Sequence, residues 1–394
     1  MTTLISSHVE PPDQAGDPPA TERREPPRRV RVGGPSPELV LHVVCAVLGA
    51  LALDWLVYEQ LVPMTGAIGF WLVWYGLFLV LLAAISSTTL DRVAVVDRLV
   101  GALVTTAGLL LVSCLVGIVV FTAARGMKAL SHLNFYTQTT AFIGPEASLD
   151  QGGIVAAAVG TLEQVAISVV ISVPLGIATA VYLSEVRGRL ASLVRTVVEA
   201  MSAVPTIVAG LFVYSMLILK LGQERSGFAA SLALCVSMIP VVITTAEVVL
   251  RLVPNGLREA SLALGTTHWQ TVRRVVLPTA RPGLVTAVLL GVARVIGETS
   301  PVLLVAGNTN ELNADPMHGP QLSLPLFAFT QMKMPLDTAI SRAFGSSVVL
   351  LVLVVVLFGT ARILGGRPPG HISPRKQRRL AAARARRQES EPAR

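Results

Sequence analysis

The sequence predicts an all-α polytopic membrane protein with about eight transmembrane helices. Three observations carry that prediction. Of 394 residues, 52% are hydrophobic and only 14% charged, where a soluble domain carries about 25% charged residues. The mean hydropathy is +0.65. The apolar residues gather into runs near the roughly 20 residues a helix needs to cross the hydrocarbon core. Together these exclude a soluble enzyme, a disordered regulator and a disulfide-stapled secreted domain.

The elements follow in order. Residues 1–38 are polar, hold eight prolines and carry arginines at 23, 24, 28, 29 and 31. They lack the apolar segment of a cleaved signal peptide and read as a disordered, basic, Pro-rich cytoplasmic tail. Eight spans are predicted at 39–58, 66–85, 99–124, 154–184, 198–219, 227–250, 283–306 and 345–364. Pro174 and Pro205 mark the fourth and fifth as candidates for a kink or break. Residues 39–98 form a leading transmembrane pair with its following loop. Residues 99–364 form a core of six spans interrupted by a long loop at 251–282. Residues 365–394 form a second basic tail. Cys45, Cys114 and Cys235 lie within apolar runs with no neighbour at metal-ligand spacing, so neither a disulfide nor a metal site is expected.

Charge placement sets the topology. The formal net charge is +8, a balance that suits nucleic acid or a membrane, and its location decides for the membrane. With the N-terminus inside, the inner stretches hold 24 Lys and Arg and the outer ends hold 6. The positive-inside rule then places both termini in the cytoplasm of a multi-pass cell-membrane protein. Nucleic acid is not an expected partner. The run from Arg375 to Arg387 acts as an orientation signal or lies along anionic lipid.

No Gly-Lys dipeptide occurs, so the chain lacks a P-loop of the form G-x-x-x-x-G-K-[ST]. Its six histidines are scattered, with neither an H-E-x-x-H pair nor a Ser-centred nucleophile elbow. No catalytic residue is assigned, and a transporter or channel subunit is the expected class.

Two segments carry the chemistry. In the loop 251–282, Pro254 and Asn255 start a short helix and Gly265 stops it. Leu257, Ala260, Ser261 and Leu264 recur at helical spacing as one narrow stripe, with Arg258, Glu259 and Ala263 facing elsewhere. Such a helix lies flat on lipid or docks in a partner's groove. The seventh span contains Ala293-Arg294-Val295-Ile296-Gly297-Glu298-Thr299-Ser300-Pro301. An arginine at the centre of a span costs roughly 3 kcal/mol on insertion scales and belongs in the bundle interior or a wet cavity. Arg294 and Glu298 are four apart and can pair, which reduces that cost without explaining why either is present. A guanidinium offers a planar fork matching oxyanion oxygens. Thr299 and Ser300 add hydroxyls, and Pro301 frees a carbonyl. These four residues, Arg294, Glu298, Thr299 and Ser300, are the expected substrate pathway, with Glu163 a second candidate. Glu199 and Glu247 read as interfacial or helix-helix contacts.

Glu259-Ala260-Ser261, Gly265, Val275 and Leu277-Pro278 resemble the EAA loop of ABC importer permeases, with Ser261 and Val275 as mild departures. The run from Ala293 to Pro301 is similar to the Ala-Arg-x-x-Gly-Glu-Thr-Ala-Pro signature of phosphate-specific ABC importer permeases of the PstA type. The runs Gly160 to Glu185 and Val204 to Leu211 resemble the same family. Ser300 replaces its usual alanine, and the first two spans precede its usual six.

The resemblance implies a type I ABC importer permease that imports inorganic phosphate. It implies a heterodimer with a PstC-type permease, two copies of an ATPase subunit holding ATP and Mg2+, and a phosphate-binding protein outside. Residues 307–344 would contribute to the outer docking surface. The loop residues Leu257, Glu259, Ala260, Ser261, Leu264 and Gly265 would couple to the ATPase. No cofactor is expected in this chain. Two rivals remain open on the residues alone: a permease for another oxyanion such as sulfate or molybdate, and an anion transporter or channel without an ATPase.

Overall fold

The computed structural model describes residues 37–61, 66–144 and 146–365. The expectations for the tails, 1–36 and 366–394, lie outside the described residues. Every regular element among the described residues is helical. Seven helices are long and apolar enough to cross a membrane, or eight if one sharply bent pair counts as a span. The chain divides into two compact units, Met1–Cys114 and Leu115–Arg394.

The first unit contains α1 (Pro37–Trp55), which continues as a π-helical turn at Leu56–Leu61, then α2 (Ala67–Ser87) and the start of α3 (Arg92–Leu130). Small residues on α1, Ala46 and Ala50, let it approach Phe78 and Leu82 of α2 closely. Tyr58 donates to the Gly66 carbonyl at 2.7 Å. Asp54 is fully buried in this unit, and both its carboxyl oxygens lack a hydrogen-bond partner among the described residues.

In the second unit α3 ends against α14 (below), where a Cβ on Gly126 would lie 3.0 Å from the backbone of Phe344 and Gly345. There follow α4 (Asn134–Thr137), α5 (Val155–Glu185), α6 (Arg189–Ala203) and α7 (Thr206–Val213), the last extended by a π-helical stretch at Tyr214–Lys220. Then come α8 (Gly227–Arg251), α9 (Asn255–Ala263) and α10 (His268–Thr271), which leads through a π-helical turn at Val272–Val276 into α11 (Leu277–Val295). The described residues close with α12 (Ser300–Val305), α13 (Leu324–Met332) and α14 (Asp337–Gly365).

The centre of this unit is the α5–α8 pair. On α5 the buried residues Gly160, Gln164, Ser168, Ser172, Gly176 and Ala180 recur every four positions. On α8 Ala230, Leu234, Met238, Val242, Ala246 and Leu250 do the same. Two i±4 ridges, one of them small, pack at short range. A Cβ on Gly176 would come 2.8 Å from Val242 Cγ1, and one on Gly291 of α11 would come 2.7 Å from Val242 Cγ2. Val242 is thus clasped between two glycines. Ser168 donates across the pair to the Ser231 carbonyl at 3.0 Å, which keeps a hydroxyl paired where no water competes.

One predicted span breaks at the proline that marked it, and another is corrected. The fifth, 198–219, is broken at Pro205. Val204 is extended (φ −70, ψ 126), as a residue before proline prefers, and α6 and the 206–220 segment meet at a bend of 103°. Pro174 behaves differently: α5 runs through it unbroken. The helical segment long and apolar enough to be the seventh span is His268–Val295, which begins some fifteen residues before the predicted start. The helix stops at Val295, and a four-residue break, 296–299, precedes α12. Within the stretch 307–344, residues 321–327 are all buried.

Candidate functional site

The break after α11 holds the predicted pathway residues. Arg294 lies in the last turn of α11, not at a helix centre, so its charge also favours the negative end of the helix dipole. Its Nη1 donates to Glu298 Oε1, and the pair is the one expected from the spacing. The two partners are unequal: the arginine side chain is 51% exposed and the glutamate 11%. The guanidinium thus keeps open donors on the surface of this unit while its counter-ion is held inside. Thr299 is half-buried and Ser300 exposed. Pro301 sits in the first turn of α12, where its missing N–H costs no helical hydrogen bond, and a Cβ on Gly210 of α7 would come 2.7 Å from Pro301 Cα.

Glu298 faces a small cavity of about 10 Å³ that it shares with Thr161, Gln164 and Ser323, room for a single water. Beyond it runs a polar network that sequence reasoning reached only at Glu163. Gln321 Nε2 donates to Glu163 Oε2 at 2.5 Å and to the Asn313 carbonyl at 3.2 Å. Gln164 donates to Gln321 Oε1 at 3.1 Å, and the Leu324 amide donates to Thr161 Oγ1 at 2.7 Å. The segment before α13 is therefore tied to α5 within one cavity's width of Glu298. Its tip is closed by Asn313, whose side-chain amide donates to the carbonyls of His318 at 2.8 Å and Pro320 at 3.0 Å.

The loop helix predicted between Asn255 and Gly265 is α9. Gly265 takes φ +79, the left-handed turn that ends a helix at low cost for glycine. Leu257 and Leu264 are exposed, the latter at 84%, and Glu259 and Ala260 are exposed with them. Ser261 departs from this stripe. It is 8% exposed, and its hydroxyl meets Thr266 Oγ1 at 2.8 Å and Thr271 Oγ1 at 3.0 Å. The reason is geometric: the chain folds back through Thr266 onto α10, so the side of α9 bearing Ser261 is the side covered. Arg258 anchors the helix from behind, pairing with Glu185 at the end of α5 and donating to the Leu250 carbonyl at 2.9 Å. That anchor was not read from the sequence, because partners 73 residues apart leave no periodic signal.

Residues 172–367 match the family model for the binding-protein-dependent transport system inner membrane component. The chain is 42% identical over 235 residues to the phosphate transport system permease protein PstA 1 of Mycobacterium tuberculosis, covering 59% of this chain and 77% of that protein. It is 41% identical over 241 residues to PstA of Mycobacterium leprae, covering 60% and 79%. With PstA of Haemophilus influenzae it shares 33% over 258 residues, covering 64% and 89%. The chain belongs to the PstA family of membrane permeases.

As a PstA-family member it is a multi-pass permease subunit of an ABC transporter. The stretch matched by the family model begins inside α5 and ends past α14, so α9 and the break after α11 both lie within it. Among solved structures, the chain is similar to the MetNI methionine ABC transporter (24% identity, TM-score 0.41, covering 54% of this chain and 91% of that one). It is also similar to an alginate ABC importer (17% identity, TM-score 0.43, covering 65% and 96%).

Proposed function

We propose that this chain forms one half of the translocation pathway of an ATP-driven inorganic phosphate importer, and that Arg294 handles the anion. The observation that carries the reading is the asymmetry at the α11 break: an exposed guanidinium whose carboxylate partner is largely covered, in a PstA-family chain. A guanidinium offers five donors in a fixed fork, and Glu298 engages one edge. A phosphate oxyanion binds the remaining donors, with Thr299 and Ser300 hydroxyls beside it. Glu298 then offsets part of the charge, so the passing anion is held loosely enough to leave.

The second half of the pathway is a PstC-type permease. Two ATPase subunits bind ATP and Mg2+, chemistry for which this chain has no P-loop, and a phosphate-binding protein delivers cargo from outside. The charge bias supports an orientation with both termini cytoplasmic. In that orientation α9 faces the ATPase, and its exposed residues Leu257, Glu259, Ala260 and Leu264 supply the docking face. Gly265 turns the chain back, and Ser261 stiffens that turn from within. ATP-driven closure of the ATPases moves α9, and the Arg258–Glu185 pair passes the motion to α5.

The test is uptake of labelled phosphate by cells that lack their own importer and are supplied with the partner subunits and this chain. Restored uptake that excess sulfate does not suppress, and that disappears when the ATPase is inactivated, is the expected result. Uptake suppressed by sulfate, or indifferent to the ATPase, overturns the reading.

A further inference from the structure

A second concentration of positive charge lies at the end of the unit that carries α9. A cleft of about 630 Å³ opens between the end of α5, the first turn of α6, the end of α8 and the start of α9. Four arginines line it: Arg187, Arg195, Arg251 and Arg258. Two carboxylates answer them. Glu185 pairs with Arg258, and a single oxygen of Glu247 accepts from both Arg195 at 2.6 Å and Arg251 at 2.5 Å. Arg187 is exposed and meets no carboxylate among the described residues. Four guanidiniums against two carboxylates leave an uncompensated positive charge in one concavity, the arrangement that concentrates anions.

The neutral parts of the cleft point the same way. Gly188 begins α6 with φ +148 and no side-chain cap, so the first amides of a fifteen-residue helix are uncapped beside the arginines, and helix N-termini bind phosphate groups. Asn255, at the start of α9, adds a side-chain amide, and Pro254 before it gives no side-chain cap.

We propose that this cleft binds a phosphate-bearing anion, either free inorganic phosphate or the headgroup of an acidic phospholipid. Bound there, the anion competes with Glu185 for Arg258 and so loosens or resets the tie between α9 and α5. That consequence rests on the coupling role of α9 proposed above; the binding itself does not. The cleft shares no residue with the Arg294 pathway, so occupancy of one site is separable from the other.

The experiment uses the full assembly with its partner permease and ATPase subunits, in nanodiscs of phosphatidylcholine. Amide exchange is followed by mass spectrometry across 183–195 and 249–260. One arm adds millimolar inorganic phosphate, and the other replaces part of the lipid with phosphatidylglycerol. Slowed exchange in the first arm identifies free phosphate, and slowed exchange in the second identifies a lipid headgroup. Either result, retained in Arg294→Gln and lost in Arg187→Glu, supports the site. Among the described residues Arg187 makes no ion pair, so its substitution removes none of the internal pairs. Arg195→Gln, made alongside, is expected to weaken the same protection. Unchanged exchange in both arms overturns the proposal, as does protection that survives Arg187→Glu. Phosphate uptake is measured on the same variants. Failed uptake with intact cleft protection counts against the importer reading alone, and normal uptake without protection counts against the cleft alone.

Discussion

At the scale of single residues, the buried Arg342 is spent on backbone. Arg342, 2% exposed, donates to the carbonyls of Ala147 at 3.0 Å, Ser148 at 2.8 Å and Gln151 at 3.1 Å. From the sequence it reads as an outer flanking charge, because an arginine that caps three carbonyls nearly two hundred residues away has no local signature. Replacing it by methionine removes the donor from three carbonyls on half-buried or exposed residues, at about 1 kcal/mol for each hydrogen bond lost. Arg342→Met is expected to lower the thermal midpoint of the purified protein and to speed amide exchange across 147–152; an unchanged midpoint would remove the structural role. Asp315 gives a pH prediction. It accepts from His318 Nδ1 at 2.9 Å and from the Met317 amide at 2.9 Å, and these bonds, the histidine's first, hold its carboxyl below the usual aspartate range. A lowered folded value stabilises the loop above the unfolded value of about 3.9, and that contribution is lost as pH falls through the lowered folded value. The loop around 313–320 is therefore expected to stay ordered at pH 4 and to loosen only in stronger acid. In Asp315→Asn the acid transition at this loop should be absent, which amide exchange against pH reads directly.

Helix pairs decide whether the unit forms at all. Gly176 stands where any side chain meets Val242, and forcing extra methylenes into such a contact costs typically 1–3 kcal/mol. Gly176→Leu is expected to reduce membrane abundance sharply, and Val242→Ala in the same chain to restore part of it by making room. A lack of rescue would mean that the ridge packing is not what the leucine disturbs. At α9 the exposed stripe makes a different forecast. Leu264→Glu leaves every internal contact in place, since Leu264 is 84% exposed, so abundance should hold while co-purification of the ATPase subunit is lost. Retained ATPase would show that α9 is not the docking element. These elements differ in how plainly the sequence announces them. Apolar runs, the Pro254 start and the Gly265 stop are local, and they locate α9 and most spans. The α6–α7 bend and the α11 break depend on how Pro205, Gly297 and Pro301 act in context. Pro174, with the same chemistry, is carried through α5, so composition alone does not separate the cases. Ser261 looks like part of the exposed stripe until the chain folds back over it.

For the whole molecule, family membership and the two charged features of the second unit give one account. The Arg294–Glu298 pair is legible as an i, i+4 spacing, but the exposure that makes it useful is not: it arises because α11 stops at Val295 and leaves the guanidinium outside and the carboxylate in. The network of Gln164, Gln321 and Glu163, which borders the cavity that Glu298 also lines, joins residues about 160 positions apart, which only the fold brings together. The same holds for the arginine cleft, built from four helix ends. The most direct measurement of the central claim is phosphate uptake by wild type and by Arg294→Gln, at matched membrane abundance and with the partner subunits shown to be assembled. Wild-type uptake with at least about tenfold loss in the variant, on the order of the 1.4 kcal/mol that one charge-assisted hydrogen bond supplies, is the predicted result. Equal uptake by the two would contradict it and leave Arg294 as a counter-charge to Glu298 and the α11 dipole.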